Sequence, residues 1–136
     1  MCSEGRPEGT QFGARILAGE VSDAYLQRAD IQRGYTISIW RGRHVAEPTE
    51  LTRDEAAAYW LEVLHVARAL EQHFDPLKTN YELLGNSLPH VHTHLVLRYP
   101  DDPRPGRPFP FPEEAPPPIA EQTFRRDVEA LRALLA

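Results

Sequence analysis

Apolar residues recur at helical spacing in two parts of the chain. Between Thr52 and Pro76 they stand three or four positions apart, at Ala56, Trp60, Val63, Ala67, Leu70 and Phe74. The segment TRDE (52–55) has the form of a capping box, and Pro76 ends the helix. The segment EQTFRRDVEALRALL (121–135) resumes the same spacing at Phe124, Val128, Leu131 and Leu135. The pattern therefore predicts one long central helix and a C-terminal helix.

Shorter apolar segments bounded by glycine, proline or polar clusters predict strands. These segments are AYLQRA (24–29), YTISIW (35–40), KTNYELL (78–84) and HVHTHLVL (90–97). The apolar segment GARILAG (13–19) is interpreted as a helical turn that ends at its glycine. Because strands surround one long helix without regular βαβ alternation, we expect an α+β fold with a mostly antiparallel sheet.

Proline divides the second half of the chain. Nine of the thirteen prolines lie between Pro100 and Pro118, which excludes a helix or a central strand there. The predicted organisation is a flexible N-terminus (1–12), a domain core (13–100), a proline-rich arm (101–118) and the C-terminal helix (119–136).

Composition and charge narrow the possible functions. The chain has 136 residues, of which 41% are hydrophobic and 26% charged, values that are typical of one globular domain. No apolar run is long enough for a membrane helix, and the N-terminal residues do not resemble a signal peptide. A formal charge of −5 argues against broad binding to nucleic acid, and a single cysteine excludes an internal disulfide. We therefore expect a cytoplasmic protein that binds neither membrane nor nucleic acid.

The segment LPHVHTHLVLRY (88–99) holds half of the six histidines. Side chains alternate along a strand, so His90, His92 and His94 are predicted on one face, about 6.6–6.8 Å apart per pair. Three imidazoles make a poor core face, because each buried ring nitrogen needs a hydrogen-bond partner. A solvated face with no function is one interpretation, but this pattern favours chemistry.

Two kinds of chemistry fit three alternating histidines. Such pairs bind zinc or iron, but a metal site needs a further ligand, for which His44 is the remote candidate. Alternatively, a neutral imidazole attacks phosphorus, while the neighbouring rings and the polar turn GNS (85–87) contact the phosphate. Phosphate chemistry explains more of the local sequence than metal binding does.

The segment HVHTHLV (90–96) resembles the signature of the histidine triad (HIT) nucleotide hydrolases and transferases. Its flanks extend the resemblance, through RGRHVAEPTELTRDEAAAYW (41–60) and through NYELLGNS (80–87) before and RYPDDP (98–103) after the triad. These flanks are most similar to the branch of diadenosine polyphosphate hydrolases. The resemblance implies a HIT-like core, usually a homodimer, that cleaves a phosphoanhydride or phosphoramidate at the nucleoside α-phosphate.

The same resemblance assigns roles by position. It implies that His92 is the nucleophile that forms a nucleotidyl-histidine, that His90 orients it, and that His94 contacts the phosphate or the leaving group. It places substrate contacts at Asp30, Asn80, Asn86, Ser87 and Arg98. No metal-binding residue and no cofactor are expected, although a divalent cation can accompany the substrate phosphates. The expected partner is a nucleoside phosphate or dinucleoside polyphosphate.

The sequence also departs from the family pattern. Tyr35 follows Gly34 where many members have a fourth histidine, Thr93 replaces an apolar residue within the triad, and Leu97 stands in place of a proline. The tyrosine supports an alternative hypothesis, a protein of this fold that binds or senses nucleotides with little turnover. A histidine-ligated metalloenzyme is the third hypothesis.

Overall fold

The computed structural model describes residues 7–136, which form a five-stranded sheet with two helices. Its elements are β1 (Gly13–Ala18), β2 (Ser22–Gln27), β3 (Thr36–Trp40), a 3-10 turn (Pro48–Glu50), α1 (Arg53–Phe74), β4 (Lys78–Glu82), β5 (His92–Arg98) and α2 (Glu121–Leu135). The predicted α+β class and both predicted helices are confirmed.

The sheet has the strand order β1-β2-β3-β5-β4, and every neighbouring pair is antiparallel. The strand with the histidines, β5, therefore lies between β3 and β4. In this register His94 stands opposite Ile37 of β3 and Glu82 of β4. One edge of the sheet is formed by β1 and the other by β4.

The interpretation of residues 13–19 as a helical turn is wrong. Residues 13–18 form β1, which pairs with β2 and shifts register between Arg15 and Leu17. The backbone N–H of Gly19 donates to the carbonyl of Ser22, which closes the turn into β2. A short apolar segment does not distinguish strand from helix by itself, so pairing with β2 decides the conformation.

The long helix α1 begins as its sequence predicts. Thr52 Oγ1 accepts from the backbone N–H of Glu55 at 3.1 Å, and Glu55 Oε1 accepts from the N–H of Thr52 at 2.8 Å. The buried face differs from the predicted one near the N-terminus, because Tyr59 is fully buried while Trp60 is 38% exposed. The buried face of α1 is shifted by one residue there, because the Tyr59 hydroxyl contacts Thr93 of β5.

Both helices pack on one face of the sheet, which we call the helix face. The main core joins buried residues of α1 and α2 to Leu95 and Leu97 of β5. The opposite face, called the outer face here, carries a smaller cluster of Tyr35, Val96 and Phe109. Within residues 7–136, neither helix has the length and apolarity needed to cross a membrane.

The proline-rich arm contains neither helix nor strand, as its prolines predict. Near its end, the carbonyl of Pro117 accepts from the backbone N–H of Asp30 at 3.1 Å. Of the predicted flexible N-terminus, residues 1–6 lie outside the described residues. Residues 7–12 run beside β1 and β2, where the Tyr25 hydroxyl donates to the carbonyl of Pro7.

Candidate active site

Alternation along β5 sorts its side chains between the two faces of the sheet. Leu95 and Leu97 belong to the core on the helix face, and Val96 belongs to the cluster on the outer face. His92 and His94 have the parity of Val96, so both lie on the outer face. Their ring centroids are 5.0 Å apart. Three rings were predicted on one face, and strand alternation places only His92 and His94 there, because β5 begins at His92.

His90 lies two residues before β5 begins, so the predicted strand starts too early. Its Nε2 donates to the carbonyl of Trp40 at 2.5 Å, and its ring centroid is 5.9 Å from that of His44. Burial lowers its pKa below the ordinary value. The backbone carbonyl of His90 contacts Nδ1 of His92.

The proton position of His92 follows from its one described hydrogen bond. Its Nδ1 lies 2.7 Å from the carbonyl oxygen of His90, and a carbonyl only accepts. Nδ1 therefore carries a hydrogen. In the neutral ring the lone pair then stands on Nε2, which is the nitrogen available to attack an electrophile. His92 is 6% exposed, so its orientation is held by surrounding protein.

His94 contacts a tyrosine rather than a carbonyl. Its Nδ1 lies 2.7 Å from the hydroxyl oxygen of Tyr35, and the two rings stack with centroids 6.0 Å apart and planes 12° from parallel. Burial, and to a lesser degree the neighbouring His92, lower the pKa of His94 to about 4. The ring is therefore neutral at pH 7. Burial and the carboxylate of Glu82 raise the pKa of Tyr35 to about 12.

The turn before β3 brings Tyr35 to this position. Gly34 has a φ of 81°, and a Cβ there would lie 2.6 Å from Cδ1 of Leu97 and 2.9 Å from Cδ2 of Phe74. Only glycine fits this close approach. Sequence reasoning treated Tyr35 as a missing histidine and overlooked its contact with the triad. The sequence feature that could have indicated this contact is the position of Tyr35 after Gly34, where many members of the resembling family have a histidine.

Arg98 and Asn80 contact each other and the arm. Arg98 is 7% exposed. Its Nη1 donates to Asn80 Oδ1 at 2.7 Å, and its Nη2 donates to Asp102 Oδ1 and to the carbonyl of Arg104, both at 2.9 Å. A second bond joins its Nε to Asp102. These bonds tie the start of the arm to β4 and β5. The substrate contacts predicted for Asn80 and Arg98 stay predictions.

The other three predicted substrate residues have exposed side chains. Asn86 and Ser87 lie in the loop before β5, and Asp30 lies in the turn after β2. Within residues 7–136, no hydrogen bond joins these side chains to the triad. Their roles toward phosphate and ribose stay predictions.

A metal site has no described set of ligands. Within residues 7–136, no group of three or more His, Cys, Asp or Glu side chains is placed to hold a metal ion. The remote candidate His44 lies beside the ring of His90. Cys2 is outside the described residues.

Comparison with known proteins identifies relatives by sequence. The family model described as the HIT domain matches residues 16–101, more than half of the chain. The curated protein named Protein hit, from Bacillus subtilis strain 168, is 31% identical over 91 residues. That alignment covers 63% of this chain and 62% of the relative, so it spans less than two thirds of the relative's length.

Solved structures show the same fold. A histidine triad protein from Bradyrhizobium japonicum superposes with a TM-score of 0.81 at 22% identity, covering 91% of both chains. A histidine triad protein from Marinobacter aquaeolei VT8 gives a TM-score of 0.78 at 23% identity, covering 90% of this chain and 88% of that one. The predicted HIT-like fold is therefore confirmed.

Proposed function

The chain belongs to the HIT domain family, and from this premise we propose that it cleaves nucleotides at the nucleoside α-phosphate, as a hydrolase or transferase. The observation that supports this proposal best is the hydrogen bond between His92 Nδ1 and the carbonyl of His90, 2.7 Å long. This bond leaves the lone pair of His92 on Nε2. A buried imidazole with a fixed lone pair is a nucleophile suited to phosphorus at neutral pH.

The reaction proceeds in two displacements. In the first, Nε2 of His92 attacks the α-phosphorus, the N–P bond forms, and the P–O bond to the leaving group breaks with its electron pair on oxygen. The ring becomes cationic, and its Nδ1–H bond to the His90 carbonyl stabilises this charge. In the second, water attacks phosphorus and loses a proton to the solvent, and the N–P bond breaks with its electron pair on Nε2. The products are a nucleoside monophosphate and a neutral His92.

The proposed substrate is a dinucleoside polyphosphate or a nucleoside phosphoramidate, and the protein acts in the cytoplasm. The proposal follows the resemblance of the segments around the triad to diadenosine polyphosphate hydrolases. No cofactor takes part, and a divalent cation enters with the substrate phosphates. Asn86, Ser87 and Asp30 remain the proposed contacts to phosphate and ribose.

Replacement of the nucleophile tests the reaction. His92→Ala should lower the release of nucleoside monophosphate by on the order of 10³-fold or more, as loss of a covalent nucleophile does in other enzymes. The exposed His65 on α1 supplies the matched control, and His65→Ala should keep wild-type turnover. Chromatography of the products measures both variants. Wild-type turnover in His92→Ala would show that the nucleophile is assigned wrongly.

A nucleotide-binding protein without turnover is the second candidate function, because Tyr35 stands where many relatives have a fourth histidine. Calorimetry and product analysis on the same wild-type sample separate the two. Binding of a nucleotide with no product after long incubation would favour this candidate over the hydrolase.

We also propose a homodimer formed through the β4 edge. Among the described strands β4 pairs only with β5, so its other edge is open. Beside it, Trp60 and Tyr81 are each 38% exposed with ring centroids 6.5 Å apart, and Leu84 is 58% exposed. A second copy can pair at this edge and cover these side chains. Light scattering should give twice the chain mass of 15.5 kDa, and a mass of one chain would contradict the dimer.

A further inference from the structure

The hydroxyl of Tyr35 has one described hydrogen-bond partner, Nδ1 of His94 at 2.7 Å. Tyr35 is 7% exposed, so water does not readily replace that partner. The carboxylate that contributes to the raised pKa of Tyr35 belongs to Glu82, and its Oε2 is buried without a hydrogen bond to any described group. The tyrosine proton therefore has a single acceptor within reach, which is the ring nitrogen of His94.

This geometry decides which atom donates. If Nδ1 of His94 carried a hydrogen, the tyrosine oxygen would accept it, and the tyrosine proton would be buried without an acceptor. If the hydroxyl donates to Nδ1, both groups are satisfied. A cationic His94 is disfavoured as well, because burial and His92 lower its pKa to about 4. The consistent state has a neutral His94 with its hydrogen on Nε2.

The two neighbouring rings thus hold opposite tautomers. A carbonyl acceptor places the hydrogen of His92 on Nδ1, and a hydroxyl donor places the hydrogen of His94 on Nε2. One ring presents a lone pair and the other presents an N–H. In the arm, the ring of Phe111 lies 5.4 Å from that of Tyr35 and 6.3 Å from that of His94, so it packs beside both residues.

We propose that Tyr35 is a positioning residue that holds the His94 proton on Nε2 and thereby selects phosphoanhydrides over phosphoramidates. This inference rests on the proposed function and names the substrate class of the same site. Nε2–H of His94 donates a hydrogen bond to the leaving oxygen and keeps its proton.

The selection follows from what each leaving group needs. When a phosphoanhydride P–O bond breaks, the electron pair stays on a phosphate oxygen, which is a stable anion and needs only a hydrogen bond. When a phosphoramidate P–N bond breaks, the amine must gain a proton in order to leave. A neutral His94 would become an anion if it gave up Nε2–H, and a tyrosine with a pKa of about 12 does not readily resupply the proton. The pair therefore serves anionic leaving groups.

Nitrogen NMR of the histidine rings tests the proton positions without any substrate. In the wild type, we expect His94 as the Nε2–H tautomer and His92 as the Nδ1–H tautomer at pH 7. In Tyr35→Phe, the His94 signals should shift toward a mixture of tautomers and its pKa should rise, because a donor to the neutral ring is lost. Tyr59→Phe, which removes a buried hydroxyl on the helix face, should leave His94 unchanged.

Two NMR outcomes would overturn the proposal. One is a wild-type His94 that carries its hydrogen on Nδ1. The other is a Tyr35→Phe variant with the wild-type tautomer and the wild-type His94 pKa.

Kinetics test the substrate class separately. The wild type should have a higher kcat/KM for a dinucleoside polyphosphate than for a nucleoside phosphoramidate. Tyr35→Phe should lower that ratio on the order of tenfold, through kcat on the polyphosphate with little change in KM. An unchanged ratio would refute the selection. If the wild type cleaves neither substrate, the proposed function fails and the selection with it, while NMR still decides the proton position.

Discussion

Two buried tyrosines contact neighbouring residues of β5 from opposite faces of the sheet. On the helix face, the Tyr59 hydroxyl lies 2.6 Å from Oγ1 of Thr93; on the outer face, the Tyr35 hydroxyl lies 2.7 Å from Nδ1 of His94. Burial raises the pKa of both tyrosines to about 12, so both stay protonated at neutral pH. The two contacts therefore both involve a protonated tyrosine hydroxyl and have similar length.

The difference lies in the partner. Thr93 does not titrate near neutral pH, so its contact with Tyr59 contributes to stability alone. His94 has two nitrogens that can carry one proton, so its contact with Tyr35 also determines the chemistry that the ring presents. We expect substitutions on the helix face to change the free energy of unfolding, and substitutions on the outer face to change turnover.

The largest stability effect is expected from a core residue on the helix face of β5. Leu95 is fully buried, and Leu95→Ala should lower the free energy of unfolding by about 2–5 kcal/mol through lost burial and the cavity that remains. Urea denaturation measures this loss. Leu61→Ala, at a site on α1 that is 66% exposed, is the control and should cost far less. If the folded fraction of Leu95→Ala lost its turnover, substitutions on the helix face would affect catalysis as well as stability, which would contradict the expected difference between the two faces.

A smaller effect is expected from the tyrosine on the helix face. Tyr59→Phe leaves Oγ1 of Thr93 buried without a described partner, which should lower the free energy of unfolding by about 1–3 kcal/mol. The double variant Tyr59→Phe, Thr93→Val should recover part of this loss, because both polar groups are then removed. Turnover per folded molecule should stay near the wild-type value. A double variant less stable than the single one would contradict this account.

The smallest stability effect is expected from acid. The pKa of His94 is about 4 in the folded protein and about 6.5 in an unfolded chain. Between these values the unfolded chain binds more protons, so the free energy of unfolding rises with pH through this window and falls as pH is lowered from 6.5 to 4. Partial exposure of the ring reduces the effect. In His94→Gln, the slope of the free energy of unfolding against pH should be shallower than in the wild type. A slope equal to the wild-type slope would show that groups other than His94 cause the pH dependence.

Local signals predicted much of the fold. The capping box of Thr52 and Glu55 and the apolar spacing of α2 involve residues close in sequence, so both helices were predicted correctly. Residues 13–18 were misread because their conformation depends on pairing with β2. The choice between Tyr59 and Trp60 for the buried face depends on Thr93, 34 residues away from Tyr59.

The candidate site was predictable in part. Strand alternation places His92 and His94 on one face, and the structure agrees. Their different proton positions were not predictable, because they depend on the carbonyl of His90 and on the hydroxyl of Tyr35. Both partners become visible only when the strands are paired and the turn at residue 34 is closed.

Detection of the covalent intermediate tests directly whether His92 attacks phosphorus. Wild-type protein is mixed with a dinucleoside polyphosphate, quenched in base within the first turnover, and digested for mass spectrometry. Base is used because a phosphoramidate bond to histidine is labile in acid. We expect a nucleoside monophosphate attached to His92. Turnover with the adduct on another residue, or with no adduct at any time of quenching, would contradict it.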